Sequence, residues 1–338
     1  MGNSFVNYHM EYRKFGNTGL RVSEIGFGAW AIGGGAMIGT TSIGWGDSDD
    51  AVSKKAIYAS LDAGINFFDT ADIYGLGHSE KLLGKALGKI QDLVIATKVG
   101  NVSRKEQFTV DYSKEYILKA CEDSLRRLQR DTIDYYQLHT ARISHLQQGE
   151  CIEALYLLQQ QGKIRYWGLS LNTFDPLPEA SYLIKNKLGN GFQLVLNLLN
   201  QKALEIFPAA AEKEYGIIAR MPLQFGLLTG KFDKDVSFPG NDHRKNRLTT
   251  AVIEAADKAL EPVWDLCEKY SCSKTQLALS FILSYPEVST IIPGIRTPEQ
   301  ARQNTKGLFK LLPEDRLMIE ALGKGDFEKL MQLIQQQG

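Results

Sequence analysis

The chain has 338 residues, 43% of them hydrophobic and 23% charged, which can fill a sizeable core and excludes a disordered or fibrous protein. Lys and Arg number 39 and Asp and Glu 39, so the net charge is zero. That balance argues against a partner recruited by a basic surface, such as nucleic acid or an anionic membrane.

Residues 1–10 read as an N-terminal extension and 11–338 as a single domain. Met1–Met10 lacks the apolar segment of a signal peptide, and Val6 stands where a myristoylation signal needs Ser or Thr. Tyr12–Arg21, with Asn17-Thr18-Gly19 as its turn, reads as a hairpin. Short apolar runs then alternate with helical patterns. The strand candidates are Glu24–Gly28, Ile65–Asp69, Leu93–Lys98, Ile133–His139, Ile164–Ser170, Phe192–Asn197, Ile217–Met221 and Ser289–Gly294. Near-continuous apolar runs of this kind suit strands covered on both faces of a parallel sheet.

Between them, Ser113–Leu128 places Ile117, Cys121, Leu125 and Leu128 at helical spacing. Ser273-Lys-Thr-Gln276 and Thr297-Pro-Glu-Gln300 read as capping boxes, the second with proline at the first helical position. Gly64 and Gly162 stand where helices should stop. Met221–Val288 is too long for one strand-to-helix step and should hold a long loop and an extra helix. Beyond Thr305, two more helical stretches should pack outside. The predicted fold class is therefore α/β, a single (β/α)₈ TIM barrel with an N-terminal hairpin, an extra helix and long loop between strands 7 and 8, and C-terminal helices.

A doubly wound dinucleotide fold is the structural alternative. It needs G-x-G-x-x-G after the first strand, but Gly26-Phe-Gly28-Ala-Trp-Ala ends in Ala31, and after Gly75-Leu-Gly77 the third position is Glu80. The four cysteines, Cys121, Cys151, Cys267 and Cys272, form no C-x-x-C pair, which suits single thiols in a reducing compartment. No apolar run is long enough for a membrane span. The expectation is a soluble cytoplasmic protein; oligomeric state leaves no signal.

In a barrel, chemistry sits at the carboxyl ends of the strands. Strand 2 ends at Asp69, with Tyr74 five residues on; strand 3 ends at Lys98; strand 4 ends at His139. Consecutive strands bring these four groups to one patch of the rim. Tyrosine is a reluctant proton donor at neutral pH, and a lysine ammonium beside it favours the phenolate. Asp69 would hold Lys98 charged, and His139 could bond a substrate oxygen. Together they form a general acid aimed at a developing alkoxide. The five histidines offer no H-x-H and only one ends a strand, so no metal site is expected. Two facing carboxylates of a retaining glycosidase are also missing, since strand 7 ends in Arg220–Met221.

Asp69-Thr-Ala-Asp-Ile-Tyr74-Gly-Leu-Gly-His-Ser79-Glu80-Lys-Leu-Leu-Gly84 resembles the signature of the aldo-keto reductases. So, in order, do Ile95-Ala-Thr-Lys98, Tyr136-Gln-Leu-His139, Trp167-Gly-Leu-Ser170-Leu-Asn172, Gly226-Leu-Leu-Thr-Gly-Lys231 and Ile292-Pro-Gly-Ile-Arg-Thr-Pro-Glu-Gln-Ala-Arg-Gln-Asn304. The match runs from about Glu11 to Asn304 and looks nearest to the bacterial NADP(H)-dependent branch with long strand-7 loops.

The resemblance implies an oxidoreductase that reduces aldehydes or ketones by hydride transfer from NADPH, with NAD(H) as a weaker alternative. Asp69, Tyr74, Lys98 and His139 would be the catalytic tetrad and Tyr74 the proton donor. The nicotinamide would meet Ser170, Asn172 and Gln193, with Arg220 against the ring. The pyrophosphate would lie under Leu228–Lys231, including Gly230. The adenosine phosphate would meet Gly294, Arg296, Gln300 and Asn304, where a helix start beside an arginine makes an anion site. Leu196 and Arg220 stand where many relatives have tyrosine; arginine is planar and can stack. Gln300 stands where some relatives use arginine. Trp30 and Trp45 should line the substrate pocket, and the glycine-rich loop Gly33–Asp49 favours aromatic or medium-chain aldehydes over phosphorylated sugars. A small carbonyl substrate is the expected partner, with no nucleic acid and no membrane. A cofactor-sensing regulatory subunit, like the potassium-channel β subunits that resemble this family, is the reading from another class.

Overall fold

The computed structural model describes residues 10–233 and 235–337. Nearly all of the expected 1–10 extension lies outside them. The chain opens with the antiparallel hairpin β1 (Tyr12–Lys14) and β2 (Arg21–Ser23). Its turn drives Phe15 into the barrel, fully buried. There the ring stacks on Phe67 at 6.3 Å and meets Tyr135 edge-on at 4.8 Å. Burying such a ring contributes about 1.5–3 kcal/mol. Because Phe67 opens its strand, the hairpin plugs the end of the barrel opposite the chemistry.

The first barrel strand, β3 (Phe27–Gly28), leads into a small hairpin, β4 (Met37–Ile38) and β5 (Thr41–Ser42), and helix α1 (Asp50–Asp62). Next come β6 (Phe67–Asp69), α2 (His78–Leu87) and β7 (Val94–Val99). A second small hairpin, β8 (Asn101–Arg104) and β9 (Gln107–Val110), precedes α3 (Lys114–Leu128). Ser113 caps α3, and all four residues at the expected spacing are buried. The order continues through β10 (Ile133–His139), α4 (Ile143–Gln148), α5 (Glu150–Gln160), β11 (Ile164–Ser170), α6 (Leu177–Asn186), β12 (Gly191–Val195), α7 (Phe207–Glu212) and β13 (Gly216–Arg220). The long excursion to the last strand holds α8 (Arg244–Arg247), α9 (Thr250–Lys269) and α10 (Lys274–Leu283). After β14 (Thr290–Ile292) come α11 (Pro298–Asn304), α12 (Pro313–Gly323) and α13 (Asp326–Gln336).

The eight strands β3, β6, β7, β10, β11, β12, β13 and β14 pair in parallel in that order. Bridges Ile25–Ile291 and Gly28–Gly294 close the ring. Side chains alternate along each strand. Phe67, Val94, Ala96, Tyr135, Ile218 and Ile292 fill the interior, while Phe68, Ile95, Tyr136, Ile217 and Ile291 face the surrounding helices. A Cβ at Gly28 would lie 2.8 Å from the Pro293 carbonyl, so this glycine serves close packing across the seam rather than a phosphate loop.

Ser273 and Gln276 form the expected capping box. At α11 only half of one forms: Thr297 caps the Gln300 N–H, but the Gln300 side chain accepts from the Arg296 N–H, one residue further back than a capping box requires. All four cysteines are free thiols.

Candidate active site

Asp69, Lys98 and His139 project from β6, β7 and β10 at the carboxyl end of the barrel. Tyr74 sits in a 3₁₀ turn, Tyr74–Gly77, in the loop that follows β6. Gly75 follows at φ 59° with its Cα face against the Gly33 carbonyl; this left-handed step holds the tyrosine over the barrel mouth.

Lys98 is fully buried. Its Nζ donates to Asp69 Oδ1 at 2.5 Å, the Thr70 carbonyl at 2.8 Å and Tyr74 Oη at 3.2 Å. Burial disfavours the ammonium, but Asp69 and Tyr74 outweigh it and hold the Lys98 pKa above its ordinary value. The Asp69 carboxylate also accepts from Gln137 Nε2 at 3.0 Å and Gln193 Nε2 at 2.7 Å. The His139 ring meets Tyr74 edge-on at 5.9 Å, and its Nδ1 is buried without a partner among the described residues. Burial, then Lys98 and Arg220, push its pKa well below the usual histidine value, so the ring is neutral.

Asp69, Tyr74, His139 and Gln193 line the floor of a cavity of about 630 Å³, with Lys98 and Gln137 buried beneath it. Trp30 stacks on Tyr74 at 5.7 Å and meets Trp45 edge-on at 5.6 Å. Trp45 both lines the cavity and packs the loop down, against Phe225 and His243. Two loops meet over the cavity: the His243 N–H donates to the Gly44 carbonyl, Ser42 to the Asn241 carbonyl, and Asn241 Nδ2 to Asp47.

Gln193, Arg220, Lys231, Gly294, Arg296 and Gln300 line the same cavity. The Arg220 guanidinium donates to the Leu171 carbonyl at 3.1 Å and Thr173 Oγ1 at 3.0 Å, and its Nε is buried and unpartnered among the described residues. Arg296 donates to the carbonyls of Trp45 and Asp47, tying the start of α11 to the first loop. Leu228 is buried, and Gly230 takes a left-handed conformation at φ 71°. Ser170, Asn172, Leu228, Gly230 and Asn304 are not part of this lining, and Gly230 is exposed. Asn172 Oδ1 accepts the N–H groups of Phe174 and Asp175. Leu196 is fully buried.

The sequence marks the basic run His243–Arg247 in a loop, Leu227–Arg247, expected to order over bound NADP(H), but does not single out Phe225 or the packing of His243 on Trp30. His243 is 6% exposed, stacked on Trp30 at 4.6 Å, with neither ring nitrogen bonded among the described residues. Arg247 lies over the Phe225 ring at 5.2 Å. Among the described residues no cluster of three or more metal-ligating side chains occurs, and no helix is long and apolar enough to cross a membrane.

A family model described as aldo/keto reductase family matches residues 24–324. The chain belongs to the aldo/keto reductase family. It is 32% identical to L-galactose dehydrogenase of Arabidopsis thaliana, the match covering 89% of each chain. It is also 32% identical to the NADH-specific methylglyoxal reductase of Escherichia coli, over 87% of this chain and 92% of that protein. Among solved structures, the holo form of aldo-keto reductase AKR11C1 from Bacillus halodurans superposes with TM-score 0.74 at 30% identity, covering 93% of this chain and 96% of that one. This aldo/keto reductase is thus an oxidoreductase of a family that uses a nicotinamide cofactor.

Proposed function

We propose that this aldo/keto reductase reduces aldehydes or ketones to alcohols with NADPH, and that Tyr74 donates the proton. One observation carries the reading: a fully buried Lys98 ammonium, fixed by Asp69, lies 3.2 Å from the Tyr74 hydroxyl at the floor of the cavity. When bound, the nicotinamide supplies the hydride. Tyr74 gives its proton to the carbonyl oxygen as negative charge develops there, and Lys98 stabilises the phenolate left behind. The neutral His139 orients the same oxygen by a hydrogen bond.

The cavity's unpartnered polar atoms suit a dinucleotide. Arg220 Nε, both His243 nitrogens and Trp45 Nε1 are buried without bonds among the described residues, beside the cations of Lys231 and Arg247. Gln193, Thr173 and Arg220 would hold the nicotinamide, with Ser170 and Asn172 behind them. Leu228–Lys231 and Arg247 would meet the diphosphate. Gly294, Arg296, Gln300 and Asn304 would meet the adenosine end, with Arg296 the cation that favours the 2′-phosphate; NADH is the weaker donor. The Trp30 and Trp45 wall supports apolar carbonyl substrates.

The test is Tyr74→Phe. A general acid contributes about 10²–10⁴-fold, and kcat is expected to fall by that much while NADPH affinity stays close to that of the unaltered protein. A variant that keeps more than about a tenth of kcat, in single turnovers where cofactor release does not limit, overturns the assignment.

A further inference from the structure

On β10 the side chains of Tyr135, Gln137 and His139 point to the barrel interior, one layer apart. The middle one, Gln137, is fully buried. Its Nε2 donates to Asp69 Oδ2 at 3.0 Å. Its Oε1 accepts from Gln193 Nε2 at 3.2 Å, and the same Gln193 nitrogen reaches Asp69 Oδ2 at 2.7 Å. The two amides therefore orient each other and converge on the carboxylate oxygen that Lys98 leaves free. Nothing in hydride transfer requires a glutamine beneath His139, and its polar group in a barrel core is costly unless its bonds matter.

We propose that Gln137 is a positioning residue for proton transfer: its amide holds the Asp69 carboxylate ionised against Lys98, and through Lys98 it governs the proton on Tyr74. This rests on the reading of Tyr74 as proton donor. The argument is one of charge placement. A buried lysine–carboxylate pair can exist as two ions or, with the proton moved across, as two neutral groups, and low polarity favours the neutral pair. Amide donors on the carboxylate favour the ions. With Gln137 in place, Lys98 keeps the ammonium that stabilises the Tyr74 phenolate; without it, part of that charge is lost.

The other titratable groups around this centre are His139 on β10, Arg220 on β13, Tyr135 below Asp69, and Asp72, whose charge reaches Lys98. None of them bonds Asp69, so none replaces the lost donor.

The test compares the unaltered protein with Gln137→Met, which keeps the length but not the donor, and with the smaller Gln137→Leu should methionine prevent folding. The first readout needs no cofactor: the ultraviolet phenolate titration of Tyr74, isolated as the difference from a matched protein carrying Tyr74→Phe. Its midpoint is expected to rise by about one pH unit, the scale of a lost hydrogen bond to a charged group. The second is alcohol oxidation with NADP⁺, which needs the phenolate as base; its rising alkaline limb should move up by the same amount. In the Tyr74→Phe background, Gln137→Met should change kcat little further.

An unmoved midpoint and limb, with activity lowered equally at every pH, would mean that Gln137 only packs the core. Weakened NADP⁺ binding with an unmoved limb would mean that it serves the cofactor through Gln193. Either result overturns the inference and leaves the proton-donor reading standing. That reading fails separately if Tyr74→Phe stays active.

Discussion

At the floor of the cavity Asp69 accepts from Lys98, Gln137 and Gln193, and Lys98 makes three bonds of its own. At the roof, His243 is also buried, but neither ring nitrogen is bonded among the described residues, and Trp45 Nε1 is in the same state. The floor side chains come from barrel strands, Asp69, Lys98 and Gln137 from three consecutive ones and Gln193 from β12, with their register fixed by the barrel. The roof side chains come from two loops joined by a few backbone contacts and held by stacked rings. Saturated buried polar groups are rigid and costly to break. Unsaturated ones lining a cavity are open to a ligand. The difference separates the saturated Asp69–Lys98 network from groups open to what enters, and His139, whose Nδ1 is unbonded among the described residues, belongs with the latter.

The sharpest attempt to break this contrast is a matched pair of charge deletions. Lys98→Met leaves the Asp69 carboxylate buried without its cation, which should cost about 3–5 kcal/mol of stability and abolish turnover. Arg247→Met removes a cation that stacks on Phe225 and has no ion-pair partner among the described residues, so it should cost no more than about 1 kcal/mol. Denaturant unfolding of both variants checks this. Equal losses would show that roof and floor carry comparable structural weight.

Bound cofactor should suppress the local opening of the roof. Amides of 227–247 should gain protection when NADP(H) is present, because opening the roof requires its release. At a hundred times the dissociation constant the gain is about 2.7 kcal/mol, a hundredfold slower exchange. Amides of β6, β7 and β10 should gain by the same factor wherever they exchange through global opening, which also releases the cofactor, so the reference is the last turn of α13, which lines no part of the cavity and can fray without that release. Hydrogen exchange followed by mass spectrometry reads both. Protection of 227–247 that is the same with and without cofactor contradicts the roof's role.

The floor was far more legible in the sequence than the roof, for reasons of periodicity. Asp69, Lys98 and His139 end apolar runs, and a barrel converts strand ends into neighbours. Gln137 was within reach of the same logic, because it precedes His139 by the strand period of two; what hid it was the partner on β12, two strands away. The outermost runs were read too long. Glu24–Gly28 yields only Phe27–Gly28, and Ser289–Gly294 only Thr290–Ile292, because these strands meet at the seam through isolated bridges rather than a continuous ladder. The hairpin β8–β9 left no turn signal: its positive φ angles fall on Lys105 and Glu106 instead of the usual Asn-Gly. His243 sat in a visible basic run, but that it stacks on Trp30 depends on two loops meeting, which no local pattern encodes.

A third measurement uses acidity. Burial, with Arg247 adding, lowers the His243 pKa to about 3, while in the unfolded chain it returns to about 6.5. Below that upper value the unfolded chain takes up a proton that the folded one refuses, so stability falls as pH falls, by up to about 1.4 kcal/mol per unit. His139 is shifted in the same direction and adds to the slope. His243→Phe keeps the stack and removes one share. Between pH 7 and 5 the unaltered protein should therefore lose about 2 kcal/mol more than the variant. Identical pH dependences would mean that the roof opens and hydrates His243.

Arg220 lies where floor and roof meet, and it sharpens the comparison most finely. Its guanidinium bonds a carbonyl and a hydroxyl, and no carboxylate pairs with it among the described residues, so its charge is not locally cancelled. Burial disfavours that charge, yet an arginine keeps it at working pH. In the reading proposed above it faces the nicotinamide. The oxidised ring is a cation and the reduced ring is neutral, so the repulsion falls on NADP⁺ alone. About 1.4 kcal/mol of repulsion is a tenfold difference in affinity, reasonable for like charges in a partly desolvated site. Arg220→Tyr supplies a stacking ring without the charge. The ratio of NADP⁺ to NADPH dissociation constants should then fall by up to about tenfold, while the affinity for NADPH changes much less. Fluorescence titration of both cofactor forms measures the ratio directly. If it is unchanged, the bonds to Leu171 and Thr173 make Arg220 a structural member of the barrel mouth, and its charge does not tune the cofactor.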